Sequence, residues 1–349
     1  MTRRRSYTIG AAAALAGLAG AAAAARGSVR RHRNRADPEA GETLGLLPPE
    51  DLGSIRSFDG TDLAVRAAGP KDAPAIVFSH GITLDMTTWH YQWRAFSDRY
   101  RCVLFDHRAH GRSGSPPLGD LSLSAAARDL KAVLDQAVGG GPVVLVGHSM
   151  GGMAIASFAE QFLQELEDRV MGVVFVDTAV SDLVREFLGA VGSRLERRLR
   201  PVTERILFDP ARAERFQRGL NRWGQDLAFL IARATNFGPD ASAAQIEHVT
   251  RISAGARVEV WTTMLQGLLE MDLGDALESI TCPAMVIVGD RDAVTPKTSA
   301  RAIRDRLPNG RAYVITRAGH MAMMEQHHIF NDLLGRFLEE VNAAEQAAG

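Results

Sequence analysis

The stretch PVVLVGHSMGG, residues 142–152, decides the fold of this chain. Its β-branched first half is typical of a buried strand, and the glycines around Ser149 predict a sharp turn that leads directly into a helix. A serine in such a strand-turn-helix stands at the end of the strand with its hydroxyl exposed to a ligand, and larger residues in place of the glycines would collide with neighbouring elements. We therefore predict that Ser149 is a nucleophile rather than part of an ordinary glycine-rich turn.

Five further apolar runs resemble the strand before Ser149 in length and β-branched content. They are AIVFSH (75–80), RCVLFD (101–106), MGVVFVD (171–177), PAMVIVGD (283–290) and RAYVIT (311–316). Between them, residues 122–138 and 154–166 carry apolar residues at helical spacing. This alternation predicts an α/β fold with a doubly wound, mostly parallel sheet covered by helices on both faces.

Residues 180–277 interrupt the alternation, because they contain no comparable strand run and show helical periodicity, for example over 259–271. We interpret them as a helical cap inserted after the strand that ends at Asp177. The chain then divides into an N-terminal segment (1–40), a first core part (41–179), the cap (180–277) and a second core part (278–349). We expect the apolar side of the cap to bind substrate through Trp223, Phe229, Trp261 and Met264.

A serine hydroxyl is a poor nucleophile near neutral pH and needs a general base. His320 follows the last strand run, so the topology returns it to the sheet edge where the turn at Ser149 lies. The competing histidines are His107 and His110, in the loop after residues 101–106, and His148, inside the turn itself.

The acid that orients the histidine is expected in a loop after a strand of the C-terminal half. Asp292 and Asp290 both follow the run at 283–290, and Asp177 follows the preceding run, so position alone leaves all three open.

Two backbone N–H groups are candidates for an oxyanion hole. The N–H of Met150 starts the helix after Ser149, and the His80-Gly81 pair after an early strand lets the chain turn so that the N–H of Ile82 faces the site. His80 itself is interpreted as a structural residue.

The composition of the chain excludes several functions. The 349 residues include 46% hydrophobic and 23% charged residues with a formal net charge of −1, so nothing indicates nucleic acid as a partner. The two cysteines, Cys102 and Cys282, have no metal-ligand spacing, and the adjacent His327 and His328 are not expected to aim both rings at one ion. We predict no metal and no cofactor.

The N-terminus departs from this average composition. An Ala/Gly-rich apolar segment, residues 9–25, lies between arginine-rich flanks and is followed by a polar linker at about 37–51. We predict that this segment associates the protein with a membrane as a short transmembrane helix, with export after cleavage of a signal as the alternative.

The motifs together resemble the α/β-hydrolase superfamily, specifically its capped serine esterase, haloperoxidase-like and enol-lactonase group. The resemblance spans about residues 58–338 and is carried, in the expected order, by HGIT at 80, DHRAHGRSG at 106, GHSMGG at 147, GDRDAVTP at 289 and AGH at 318. It implies that Asp292 is the acid, because the family places it at the fourth position of the GxxD loop. Ala109 departs from the usual glycine.

The resemblance implies a serine hydrolase that cleaves a small-molecule carboxylic ester, with an apolar acyl group, through an acyl-enzyme on a Ser149, His320, Asp292 triad. A serine at 149 argues against epoxide hydrolases and dehalogenases, which use an aspartate. Perhydrolase, lactonase and C–C bond hydrolase activities stay open as alternatives on the same triad. A non-catalytic ligand-binding receptor is the alternative of another class.

Overall fold

An eight-stranded sheet forms the centre of the protein in the computed structural model, which describes residues 25–37, 39–181 and 225–348. Its spatial order is β1-β2-β4-β3-β5-β6-β7-β8, and every pair is parallel except β1–β2 and β2–β4. The strands are β1 (Glu50–Arg56), β2 (Asp62–Ala68), β3 (Ala75–Ser79), β4 (Arg101–Phe105), β5 (Val143–His148), β6 (Val170–Val176), β7 (Ala284–Gly289) and β8 (Gly310–Ile315). The predicted doubly wound, mostly parallel sheet is confirmed.

Helices cover both faces of this sheet. They are α1 (His90–Phe96), α2 (Leu123–Val133), α3 (Met150–Gln161), α4 (Leu163–Arg169), α5 (Gln225–Asn236), α6 (Ala243–Ala254), α7 (Val258–Glu270), α8 (Gly274–Glu278), α9 (Lys297–Arg306), α10 (Ala322–Glu325) and α11 (His327–Ala348). Helix α2 begins where the sequence indicates, because the Ser122 side chain accepts the N–H of Ala125 at 3.1 Å.

The strands are buried on both faces, which is why their sequences read as continuous apolar runs. Alternate side chains enter two apolar layers. Val77 and Leu145 belong to one layer, and Ile76 and Val144 belong to the other. The sheet is therefore held by burial from both sides.

The register of the parallel strands brings their carboxyl ends to one edge. Ser79 pairs with Gly147 across β3 and β5, and His148 pairs with Val176 across β5 and β6. At the next pair, the N–H of Asp177 donates to the carbonyl of Ile287 at 2.8 Å. The residues that follow β3, β5, β6 and β7 consequently share one side of the sheet.

Helices α5 to α8 are inserted between β6 and β7, where the sequence predicts a cap. Helix α6 has a capping box, in which Ser242 and Gln245 bond each other's backbone N–H groups. Residues 182–224, which include Trp223, lie outside the described residues, so the full extent of 180–277 as one cap stays a prediction.

The interpretation of residues 37–51 as a polar linker is wrong. Glu39 accepts a hydrogen bond from the Tyr91 hydroxyl at 3.0 Å, and Glu42 lies 3.1 Å from Nε2 of His90 and 2.8 Å from Nη1 of Arg94. Polar contacts of this kind leave no periodic apolar pattern. The segment is attached to the core through these carboxylates and through Leu44 and Leu47, which pack on one apolar layer.

The first two strands are also absent from the sequence interpretation. Strands β1 and β2 form an antiparallel hairpin around Asp59-Gly60, and Gly60 has a φ of 87°. An Asp-Gly pair is a hairpin signal, but β1 is mostly exposed and so lacks the apolar run used to find the other strands.

None of the helices in the described residues is long and apolar enough to cross a membrane, and this finding corrects the predicted membrane localisation. Positions 9–24 of the predicted segment lie outside the described part of the chain. Residues 25–33 are helical and pack on the folded body. Val29 is fully buried, and the Arg33 guanidinium, which the sequence presents as a membrane-flanking charge, pairs with Glu247 at 2.6 Å.

We predict that Arg108→Ala lowers the free energy of unfolding by about 3–5 kcal/mol, because it leaves the buried Asp129 carboxylate unpaired. Arg108 is wholly buried, donates to both oxygens of Asp129 at 2.6 Å, and binds Asp59 at 3.0 Å. Urea denaturation would measure the loss. Arg128→Ala, at an exposed position on α2, is the control, and an equal small effect of both variants would contradict the prediction.

Candidate active site

Ser149 occupies the turn between β5 and α3 with φ 51° and ψ −120°, a conformation that side chains rarely adopt. Its N–H donates to the carbonyl of Val176 at 2.9 Å, and its carbonyl accepts the Thr178 hydroxyl at 2.7 Å. The neighbouring positions require glycine because other backbone atoms lie too close for a Cβ atom. A Cβ atom on Gly147 would lie 2.6 Å from the Gly151 backbone, and one on Gly151 would lie 2.2 Å from the Ser79 carbonyl oxygen.

The structure brings Asp292 and His320 together. Nδ1 of His320 lies 2.9 Å from Oδ2 of Asp292, and both residues are buried. Asp292 also accepts the N–H groups of Val294 and Thr295 at 2.8 and 2.9 Å and the Thr295 hydroxyl at 2.7 Å. Its own loop therefore fixes the carboxylate, and a hydrogen bond at Nδ1 leaves Nε2 of His320 free to accept a proton.

Asp292 and His320 shift each other's pKa toward the charged form. Burial alone would lower the pKa of His320, but the charge and hydrogen bond of Asp292 outweigh it, so the pKa is raised. Burial likewise works to raise the pKa of Asp292, and the contact with His320 outweighs it, so that pKa is lowered. The pair favours an ionised carboxylate beside an imidazole that protonates readily.

His148 connects the turn at Ser149 to the loop of His320. Its Nε2 donates to the carbonyl of His320 at 2.8 Å, and the two ring centroids lie 4.9 Å apart. Burial, followed by the nearby His320, lowers the pKa of His148 to about 3. His148 is therefore neutral and acts as a link between the two loops.

The two alternative aspartates bind backbone instead. Asp177 is wholly buried and accepts the N–H groups of Gly289 at 2.8 Å and Ala322 at 3.0 Å, and burial followed by the charge of Asp292 raises its pKa well above the usual range. Asp290 accepts the N–H of Arg317 at 2.6 Å. Both residues hold the loops around His320 through these backbone hydrogen bonds. The choice of Asp292 as the catalytic acid nevertheless stays a prediction.

The predicted oxyanion donors lie on either side of Ser149. Met150 is the first residue of α3, and the Gly81-Ile82 turn packs on Ser149, since a Cβ atom on Gly81 would lie 3.2 Å from Cβ of Ser149. Among the described residues, neither the Ile82 N–H nor the Met150 N–H has a hydrogen-bond acceptor. Their role as a pair of donors stays a prediction.

Three further histidines, His80, His107 and His110, form a buried cluster next to this turn. His80 Nε2 accepts the N–H of His107 at 3.0 Å, and its Nδ1 donates to the Gly81 carbonyl at 2.8 Å. Nε2 of His107 contacts the Ser79 hydroxyl at 2.8 Å, and Nδ1 of His110 donates to the Arg108 carbonyl at 2.9 Å. The contacts of His80 agree with its interpretation as a structural residue.

The cap residues predicted to bind substrate are dispersed. Phe229 is buried and meets His32 edge-on at a centroid distance of 5.6 Å, so it packs on the N-terminal helical segment. Met264 is buried in the opposite apolar layer, and Trp261 is half-buried. Trp223 lies outside the described residues. Pocket lining by these four side chains stays a prediction.

Glu325 is a residue of the site that the sequence interpretation missed. Its carboxylate accepts the N–H of Gly238 at 2.6 Å, just after α5, and the N–H of Gly319 at 2.7 Å, just before His320. Burial raises its pKa to about 7. The sequence does contain a signal for Glu325. It ends the apolar run MAMME after His320, where a solvent-facing carboxylate would not be expected.

One group of described residues has the composition of a metal site. Glu39, His327 and His328 each place a ligand atom within 4.8 Å of the others. The expectation that adjacent histidines point apart is therefore wrong here, because both stand at the first turn of α11. Nε2 of His327 already contacts Glu39 at 3.0 Å, and the His327 ring stacks on Tyr91 at 3.8 Å, which accounts for the arrangement without an ion.

The site geometry agrees with the family assignment. A family model described as alpha/beta hydrolase fold matches residues 74–326, a range that contains Ser149, Asp292 and His320. The chain belongs to the α/β-hydrolase fold family. The predicted superfamily is thereby confirmed, and with it the prediction that the protein is an α/β-hydrolase.

Similar proteins span most of the chain. It is 25% identical to 3-oxoadipate enol-lactonase 2 of Acinetobacter baylyi, over 80% of this chain and 95% of that protein. It is 27% identical to the non-heme chloroperoxidase of Streptomyces lividans, over 71% of this chain and 85% of that protein. A thermophilic esterase from Thermogutta terrifontis has the same fold, with a TM-score of 0.65, 24% identity, and coverage of 84% of this chain and 99% of that chain.

We predict that Asp292→Asn lowers the pKa of His320. Asparagine carries no charge to stabilise the imidazolium, so burial is left to act against protonation. Nitrogen-15 NMR of the histidine side chains would follow the titration. As the pH falls, His320 of the native protein becomes protonated at its raised pKa. In the variant, His320 should stay neutral to a lower pH. Asp290→Asn is the control, and an unchanged His320 titration in Asp292→Asn would refute the pairing.

Proposed function

We propose that the protein hydrolyses carboxylic esters through an acyl-enzyme on Ser149. The observation that carries the proposal is the combination of a strained Ser149 turn with the Asp292–His320 hydrogen bond at the same sheet edge. The turn holds Ser149 directly before α3, and the pair supplies a base of the correct tautomer.

The proposed reaction has two halves. Nε2 of His320 accepts the Ser149 proton as Oγ attacks the ester carbonyl carbon, and the imidazolium then gives the proton to the leaving alcohol. A water molecule deprotonated by His320 attacks the acyl-enzyme, and Ser149 leaves with the proton. Asp292 remains ionised and stabilises the imidazolium in both halves. No step needs a cofactor.

The negative charge of the tetrahedral intermediate requires donors that are not used elsewhere. The N–H groups of Ile82 and Met150 have no acceptor among the described residues. Met150 opens α3, a helix of 12 residues, whose dipole adds favourable potential for an anion at that end. We propose that these two groups form the oxyanion hole.

The named relatives suggest which reactions to compare with ester hydrolysis. An enol-lactone is a cyclic ester, so the lactonase named among the relatives is compatible with the same two half-reactions. A relative named as a chloroperoxidase keeps perhydrolysis open, in which peroxide replaces water as the acceptor of the acyl group. Ester hydrolysis needs only the ester and water. Lactone hydrolysis and perhydrolysis are tested beside it in the same assay.

We also propose that residues 180–277 cover the site as a cap. The described part supports this proposal, since the Thr83 hydroxyl, one residue after Ile82, lies 3.4 Å from the Ser253 hydroxyl of α6. The cap therefore meets the core beside the proposed oxyanion hole.

We predict that Ser149→Ala abolishes hydrolysis of esters and lactones and labelling by a fluorophosphonate probe. Asp292→Asn should lower kcat by roughly three to four powers of ten, because the imidazole loses its orienting acid. Assays over an ester and lactone panel, with and without peroxide, would measure this.

Asp290→Asn is the matched control, because Asp290 is the neighbouring aspartate of the same loop and binds backbone. It should retain most of the native kcat when circular dichroism shows a folded protein. Near-native kcat in Asp292→Asn, or persistent labelling of Ser149→Ala, would refute the assignment.

A further inference from the structure

A cleft of about 600 Å³ opens between the cap and the core, beside the proposed active site. Its core wall consists of the loop after β3, from Thr83 to Asp85, and the loop after β4, from Ala109 to Ser115. Its cap wall consists of the C-terminal end of α6 and the residues that lead into α7. The mechanism proposed above does not use this cleft.

Three arginines from separate segments line the cleft. Arg112 comes from the loop after β4, Arg251 from α6, and Arg257 from the N-cap of α7. All three are exposed. Their convergence gives the cleft a positive charge in a protein whose formal net charge is −1.

The positive charge of these arginines is not neutralised by the described part of the protein. Arg251 contacts Nδ1 of His248 at 2.8 Å, and Arg257 donates to the Ser115 hydroxyl at 2.6 Å, so both of these partners are neutral groups. Among the side chains that the structure describes, a set that leaves out part of α7, no carboxylate lies within 4.0 Å of the three guanidinium groups. Several other arginines do have a carboxylate partner, as Arg317 does in Asp240.

One described acidic side chain, Asp85, lines the cleft, so three guanidinium groups stand against one carboxylate. Its Oδ1 accepts the N–H of Thr87 at 2.9 Å and also the Thr87 hydroxyl. Burial lowers the pKa of the other titratable lining residue, His110, to about 4, so it adds no charge near neutral pH. The arginines therefore dominate the potential of the cleft, and hydroxyls of Thr83, Ser113 and Ser115 add neutral hydrogen-bonding groups.

The cleft lies close to the reacting atoms. A Cβ atom on Gly81 would lie 3.2 Å from Cβ of Ser149, and Thr83 of the cleft wall is two residues further along the chain. Two residues span at most about 7 Å, so the wall begins within roughly 10 Å of Ser149. One substrate molecule could therefore place an ester carbonyl at Ser149 and extend a charged group into this cleft.

We infer that this cleft binds an oxyanion, a carboxylate or a phosphate, carried by the ester substrate. Guanidinium groups bind both anions through paired N–H donors, and an open positive cleft also raises the local concentration of an anionic substrate. The inference rests on the proposed ester hydrolysis and adds a substrate class to it, namely esters that carry a negative charge beyond the scissile bond.

The test compares ester pairs that differ only in charge. The first pair is p-nitrophenyl hemiglutarate and its carboxamide analogue, and the second is a p-nitrophenyl 4-(phosphonooxy)butanoate and its neutral dimethyl phosphate ester. The native protein should show a higher kcat/KM for the charged member of at least one pair. The pair that shows the larger ratio distinguishes a carboxylate from a phosphate.

Arg112→Gln, Arg251→Gln and Arg257→Gln should each lower the charged-to-neutral ratio of kcat/KM about fivefold, and 0.5 M sodium chloride should lower it in the native protein. Arg301→Gln, an exposed arginine of α9 remote from the cleft, is the matched control and should leave the ratio unchanged. A native protein without preference for charge, or a ratio within twofold of native in all three variants, would overturn the inference.

A binding measurement separates this inference from the proposed function. Calorimetry on Ser149→Ala with glutarate and with inorganic phosphate should detect binding of at least one anion, and Arg251→Gln in the same background should weaken it about fivefold. If no ester is hydrolysed but this binding and its loss are observed, the proposed function fails and the anion site stands. If neutral esters are hydrolysed and neither anion binds, the anion site is overturned while the hydrolase proposal stands.

Discussion

The turn at Ser149 holds a non-glycine residue at φ 51°, and strain of this kind costs about 1–3 kcal/mol and persists only where the surroundings enforce it. Here the enforcement comes from backbone packing, because Gly147 and Gly151 touch neighbouring backbone so closely that neither has room for a Cβ atom. The Ser149 N–H is satisfied by the Val176 carbonyl of the adjacent strand. The position of the proposed nucleophile is thus a consequence of how β5, β6 and α3 pack, and the other candidate residues are arranged around that fixed point.

The loop of His320 is fastened to this turn by buried polar groups rather than by apolar packing alone. His148 binds the His320 carbonyl, Asp177 binds the backbone of β7 and of α10, and Glu325 bridges Gly238 and Gly319. Burial raises the pKa of both Asp177 and Glu325, which leaves Asp292 as the carboxylate that carries charge beside the imidazole. Glu325 also ties the segment after α5 to the loop of His320.

Much of this architecture follows from the sequence, because buried parallel strands leave continuous apolar runs and the turn at Ser149 leaves a glycine signature. The same reasoning selects His320 from its place after a strand, whereas Asp292 is separated from Asp290 and Asp177 only by the family resemblance. It misses the β1–β2 hairpin, since β1 is mostly exposed. It also misinterprets residues 37–51, which contact the core through carboxylates and two isolated leucines rather than through a periodic apolar run. Glu325 and the arginine-lined cleft are not found from the sequence for a related reason. Each depends on contacts between segments more than eighty residues apart in the chain, and no local pattern predicts which segments meet.

The central claim is that Ser149 carries the acyl group during turnover. Rapid-quench intact-mass spectrometry with a slowly deacylating p-nitrophenyl ester tests it most directly, followed by peptide mapping of the quenched protein. The account predicts a transient mass increase equal to the acyl group, located on the peptide that contains Ser149 and formed at the rate of the p-nitrophenol burst. Turnover with the acyl group attached to a different residue, or a burst that persists in Ser149→Ala, would contradict it.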